Sequence, residues 1–183
     1  QSRPGPTGSE AVVWLILSGR LAPSDKLANS AVARRDDNAG PSMSRNVCFF
    51  LYDQTNFLTL GCILEALSVL DRVRPPDKLP SYDVTLASHA GGRIGGAYGV
   101  CVDTVPIGAV GEGSCETFII CGGWGFETAL GNPDLVRCVA EEGRVARRLC
   151  AVGGGVFLAA AAGLLDGRHV AAHPSVARQL AER

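Results

Sequence analysis

The sequence predicts an α/β domain, a parallel sheet with helices on both faces, and three observations lead there. Short apolar runs of strand length alternate with segments whose apolar residues recur at helical spacing. Residues 46–52 (NVCFFLY) and 117–121 (TFIIC) are continuous apolar runs, as strands buried on both faces tend to be. Residues 149–152 meet three consecutive glycines and pass straight into a helix-like segment, 156–165. Strand, abrupt turn and helix form the frame of a nucleophile elbow, where a strained turn lifts one side chain into a cleft.

In chain order, residues 1–42 read differently from the rest: polar, rich in Gly and Pro, with one apolar run at 11–17 (AVVWLIL). That run is too short to span a bilayer, which takes about 20 residues. Met43 is the only methionine of the chain, and it directly precedes the first strand. The expectation is an extension at 1–42, flexible and not native to the domain, and a domain at 43–183. The alternative is an arm that docks its apolar run on a partner or on the domain.

From Met43, a strand at 46–52 leads through the polar loop 53–56 to a helix at Phe57–Val73, which places Leu60, Ile63, Leu64, Leu67 and Leu70 at helical spacing. Pro75 and Pro76 end it. Tyr82–Ser88 alternates like a strand, 90–99 is a glycine-rich hairpin or loop, and 100–107 is a weaker strand. After the strand at 117–121 comes the loop Gly122-Gly123-Trp124-Gly125. Asn132 and Pro133 supply an N-cap and first-turn proline for a helix through Leu135, Val136, Val139 and Ala140, stopped by Gly143. The strand at 149–152, the glycine turn and the helix at 156–165 follow, with a last helix at 174–182. In open parallel sheets ligands bind beyond the carboxyl ends of the strands. The loops 53–56, 122–125 and 153–155 all fall at that edge.

Composition narrows the function. Of the 183 residues 46% are apolar and 19% charged, so the chain is globular, and a net charge of −1 gives no reason to expect nucleic-acid or anionic-membrane binding. The seven cysteines show no CxxC pair and no Cys/His metal spacing, and Cys48, Cys121 and Cys150 sit in apolar runs. A reduced, cytoplasmic thiol set without metal or cofactor is the expectation.

Four stretches carry a resemblance: FLYDQTNFLTLGCILEALSVLDR, FIICGGWG, NPDLV and GGGVFLAAAAGLLDGRHVAAHP. Together, and in this order, they resemble the ThiJ/PfpI superfamily, and most of all the sensor domain that precedes the helix-turn-helix region in a subgroup of AraC-type transcription regulators. The resemblance covers roughly 43–183 and implies a flavodoxin-like, class I glutamine-amidotransferase-like fold. The family pattern continues beyond Arg183, so the C-terminal part is expected to be truncated or to close differently.

Active relatives carry an elbow cysteine, an acid from the first helix and a histidine about twenty residues on. Carried over, these are Gly153, Glu65 and His173. Glycine offers no nucleophile. Cys150 lies three residues early in the strand, and Cys121 stands where the family uses proline, so no catalytic residue is expected. The backbone N–H groups of Gly122, Gly123 and Gly154, with the helix start at 155–156, suit an anion or a polarised carbonyl oxygen. The triple glycine taken alone is only a tight turn. The expected ligand-binding set is Glu65, Gly122, Gly123, Trp124, Gly153, Gly154 and His173. Glu65 is expected between apolar walls in a glycine-lined cavity, with desolvation favouring its protonated form; read from the helix alone it is a solvated edge residue. Trp124 is either a lid or a loop anchor, and His89 and His169 are surface residues. The resemblance implies a small-molecule ligand and a homodimer, and this chain alone carries no element that reads DNA. Three functions stand: a non-enzymatic ligand sensor of an AraC-type regulator, an amidase or isonitrile-hydratase-like enzyme, and a structural dimerisation module.

Overall fold

The computed structural model describes residues 45–73, 75, 82–111, 115–168, 170–172 and 174–181. The extension expected at 1–42 and His173 lie outside the described residues.

The chain runs β1 (Arg45–Leu51), α1 (Phe57–Val73), β2 (Tyr82–Ser88), β3 (Gly92–Gly95), β4 (Cys101–Pro106), β5 (Thr117–Ile120), α2 (Phe126–Leu130), α3 (Pro133–Val145), β6 (Arg148–Ala151), α4 (Gly155–Ala161) and α5 (Pro174–Ala181). Among the described residues one six-stranded sheet forms, in the order β3-β4-β2-β1-β5-β6. Every pairing is parallel except β3 with β4, which form a hairpin. This is the flavodoxin-like α/β fold of the sequence expectation. From β1 the chain first builds outward through β2, then returns to place β5 on the other side of β1. The carboxyl ends of β1 and β5 therefore flank the topological switch point, where such sheets open a crevice.

The continuous apolar runs have a direct cause. Side chains of β1 alternate between two cores. Val47, Phe49 and Leu51 face α1, against Leu60, Ile63, Leu64 and Leu67. Cys48 and Phe50 join Phe118, Ile120, Val139, Val156 and Leu158 under α3 and α4. Phe49, Phe50, Leu51, Phe118 and Ile120 are completely or almost completely buried.

Of the two readings of 90–99, hairpin or loop, the hairpin holds, since β3 lies there and pairs antiparallel with β4. Other expectations need correction. α3 does not stop at Gly143 but runs to Val145. A β-carbon on Gly143 would come up against the end of the Leu164 side chain, which packs near the helix at that point. The helix after the elbow is shorter than 156–165. It ends at Ala161, and Gly163 turns the chain out with φ +67°. α2 is a five-residue helix in a stretch without a helical pattern of its own.

Candidate functional site

Three loops meet backbone to backbone at the carboxyl ends of β1, β5 and β6. The loop after β1 is held by Thr55, which is buried. Its Oγ1 accepts the Tyr52 N–H at 3.1 Å and donates to the Tyr52 carbonyl at 2.5 Å. Asn56 caps α1, with Oδ1 accepting the N–H groups of Leu58 at 3.0 Å and Thr59 at 3.3 Å. Its own N–H donates to the Gly122 carbonyl at 2.8 Å, and Thr55 pairs with Gly123 in an isolated antiparallel bridge. The Gln54 N–H donates to the Gly95 carbonyl at 2.7 Å, and the Gly95 N–H returns a bond to Asp53 Oδ1 at 3.1 Å. Gln54 holds φ at +63°, a left-handed conformation that is strained for a non-glycine residue.

Close approach explains the glycines. A β-carbon on Gly122 would collide with the Val152 carbonyl and stand 3.0 Å from the Gly154 nitrogen. One on Gly123 would meet the Gln54 carbonyl and Thr55, and one on Gly125 the Asp53 carbonyl. On Gly155 it would meet the Ile120 and Cys121 carbonyls. These positions are glycine because neighbouring backbone occupies the side-chain space. Gly153 is different. It lies exposed on the β6–α4 turn with φ +52°, and a β-carbon there would meet only the Gly122 α-carbon, at 3.9 Å. A side chain has room at this one elbow position, at the cost of backbone strain.

The start of α4 offers less to a ligand than the sequence suggests. The N–H groups of Gly155, Val156 and Phe157 bond to the carbonyls of Val152, Gly153 and Gly154 at 3.0–3.2 Å. The N–H groups of Gly153 and Gly154 have no hydrogen-bond partner among the described residues. Such free donors favour a carbonyl or carboxylate oxygen. Trp124, beside Gly123, is 90% exposed, so most of its indole surface is open to solvent.

The cysteines nearest the elbow are poor nucleophiles. Burial pushes the Cys121 thiol up to about 12, and burial also raises Cys150, with Arg148 partly opposing it. Cys121 is completely buried and Cys150 is half-buried. His89 is not the plain surface residue of the sequence reading. It is half-buried, and its Nδ1 lies 3.5 Å from the Cys138 sulfur. His169 lies outside the described residues, and among the described residues no cluster of three metal-ligating side chains occurs.

Glu65 departs from expectation. It is exposed, on the side of α1 away from Leu60, Ile63, Leu64 and Leu67, and not between apolar walls. It also lies nine positions beyond Asn56, about 13 Å along the helix axis from the loop that meets Gly122. The residues of this segment that do reach the junction are Asp53 and Gln54, against Gly125, and Thr55 and Asn56, against Gly123 and Gly122. The signal for Thr55 and Asn56 was their place directly after a strand and before a helix, where polar residues stitch turns.

The model of the DJ-1/PfpI family matches residues 45–183. Among solved structures, an AraC family transcriptional regulator from Pseudomonas putida is 21% identical, with a TM-score of 0.61 over 76% of this chain and 72% of that one. Drosophila melanogaster DJ-1beta is 15% identical, with a TM-score of 0.61 over the same shares. A ThiJ/PfpI family protein from Pseudomonas syringae is 18% identical, with a TM-score of 0.56 over 76% of this chain and 55% of its own. At these identities the likeness is one of fold. No curated protein matches the chain.

Proposed function

The chain belongs to the DJ-1/PfpI family, and on that premise we propose that residues 43–183 form a non-enzymatic ligand-sensing domain of the kind that AraC-type transcription regulators carry. The observation that carries this reading is Gly153. The elbow is built, with positive φ and open space for a side chain, yet the residue in it has no atom that attacks. Carried over from the family, this is the nucleophile position. Of the thiols nearby Cys121 is buried and Cys150 half-buried, and burial favours the protonated form of both, so neither substitutes for it. The likeness to the Pseudomonas putida regulator supports the direction of the proposal, through the fold alone.

The ligand is a small molecule that presents a carbonyl or carboxylate oxygen to the free N–H groups of Gly153 and Gly154, while Trp124 closes over its apolar part. Gly122 and Gly123 hold the loop against the elbow. His173 keeps its place as a candidate contact. In this reading the protein works in the cytoplasm, and DNA is read by a part of the regulator other than this domain. Among the described residues no helix is long and apolar enough to cross a membrane.

A panel of small carboxylates and amides, screened by thermal shift and by turnover on amide and isonitrile substrates, tests the proposal. Saturable stabilisation without turnover is expected. Turnover that iodoacetamide abolishes would make the protein an enzyme.

A further inference from the structure

The end of β2 and the flank of α3 bring an imidazole and a thiol together, and no elbow residue is involved. Ala87 of β2 belongs to the core beneath α3, and alternation along the strand carries His89, two residues on, toward the same face. There its Nδ1 lies 3.5 Å from the Cys138 sulfur. Cys138 sits on α3 between the buried Leu135 and Val139 and the exposed Asp134, Arg137 and Glu141. Both members of the pair are half-buried, so solvent reaches them. They stand 49 positions apart in the chain, and no spacing motif reveals them.

We propose that Cys138 and His89 hold a borderline-soft divalent cation of the zinc class, with the Glu141 carboxylate as third ligand. Distance is the first argument. A tetrahedral zinc, with Zn–S of about 2.3 Å and Zn–N of about 2.0–2.1 Å, sets a sulfur and a nitrogen ligand about 3.5 Å apart. That is the separation of the pair. Thiolate and imidazole are also donors that this class of metal takes. Charge is the second argument. Burial and then Glu141 push the Cys138 thiol up, Arg137 opposes them, and Asp134 and Glu142 add to the rise. A bare thiolate is disfavoured here, whereas the same carboxylates attract a cation, which releases the thiol proton to solvent as it binds. Arg137 is drawn aside by Asp134, in an ion pair of 2.9 Å. Glu141 follows Cys138 by three positions, on the same side of the helix. It is exposed and in no ion pair among the described residues. Its carboxylate does not yet complete a cluster of three. Rotation about its side-chain bonds brings it in, and water takes the fourth position.

Titration of the full, reduced chain with Co²⁺ and then Zn²⁺ tests it. One equivalent of Co²⁺ is expected to give a sulfur-to-cobalt charge-transfer band, which Zn²⁺ abolishes. Cys138→Ser should remove the band. His89→Gln should weaken binding about tenfold or more, and Glu141→Gln by less. Cys62→Ser combined with Cys101→Ser, which changes thiols outside the site, should leave the band as it is. In the wild type, Zn²⁺ should shield Cys138 from iodoacetamide, as read by peptide mass mapping, and His89→Gln should lose that protection. Metal-free variants should keep the circular dichroism of the wild type, so that lost binding is not lost fold. No band, a band that survives Cys138→Ser, or binding indifferent to His89→Gln or to Glu141→Gln would each overturn the proposal.

Discussion

Gly122 and Val152 meet so closely that no side chain fits between them: a β-carbon on the glycine would collide with the carbonyl of the residue before the elbow. The loop after β5 and the turn after β6 are thus locked by backbone contact. Gly122→Ala is expected to destabilise the fold by about 3 kcal/mol, since rigid backbone cannot yield as a side chain does. Gly153→Ala, whose β-carbon has open space, should cost only the left-handed strain of about 1–2 kcal/mol. Urea unfolding of both variants checks the ranking, and equal losses would refute the assignment.

The same contrast governs the chemistry. Gly153→Cys places a thiol where there is room for it, exposed on the turn, while Cys121 and Cys150 stay suppressed by burial. Iodoacetamide should label the introduced thiol well ahead of either native one, as read by peptide mass mapping. The wild type should show no iodoacetamide-sensitive hydrolysis of amides or hydration of isonitriles.

The cap of α3 is a local feature with a measurable worth. Asn132 Oδ1 accepts the N–H groups of Asp134 and Leu135, both at 3.1 Å. Asn132→Ala should lower stability by about 1 kcal/mol, and Asn132→Ser by less. A midpoint unchanged in urea would show that the cap contributes nothing.

The strands, α1, the Asn132 cap and the meeting of three loops were legible in the residue string, because strands buried on both faces and glycine-rich turns leave local patterns. Two things were not. Glycine does not announce whether it ends a helix or sits close to a neighbour, so Gly143 read as a stop although it lies inside α3, beside the Leu164 side chain. The other was the place of Glu65. Helical periodicity set Leu60, Ile63, Leu64 and Leu67 toward the sheet and left Glu65 at a solvated edge, as the structure has it. Only the carry-over from the family turned it inward.

Burial of Cys121 makes stability depend on pH at the alkaline end. Its thiol ionises at about 12 in the folded chain against an ordinary value of 9.0. The folded state then holds a proton that the unfolded chain has released, so unfolding is increasingly favoured above pH 9. The contribution is complete below about 9 and lost as pH rises through about 12. Burial raises Tyr52 as well, in the same direction. Cys121→Ala should make the alkaline loss shallower and leave the stability profile near neutral pH parallel to that of the wild type. Denaturation midpoints at a series of pH values measure it, and an unchanged alkaline slope would count against the thiol as its source.

Trp124 separates a ligand pocket from a bare structural turn. A large indole that is 90% exposed contributes little to folding, since the apolar area that would stabilise it remains in water. Trp124→Ala should therefore shift stability by no more than about 0.5 kcal/mol, the usual range for a surface substitution. If the elbow binds a small molecule, the indole is covered in the complex, and its removal should weaken binding while leaving the Gly153 and Gly154 donors in place. Indole emission should shift to the blue on binding in the wild type, and in Trp124→Ala that shift should disappear. A vestigial turn predicts none of this: saturable binding with the same affinity in both proteins, and no emission change, would remove Trp124 from the site. Loss of stability well beyond about 0.5 kcal/mol would mean instead that the indole holds the loop in place.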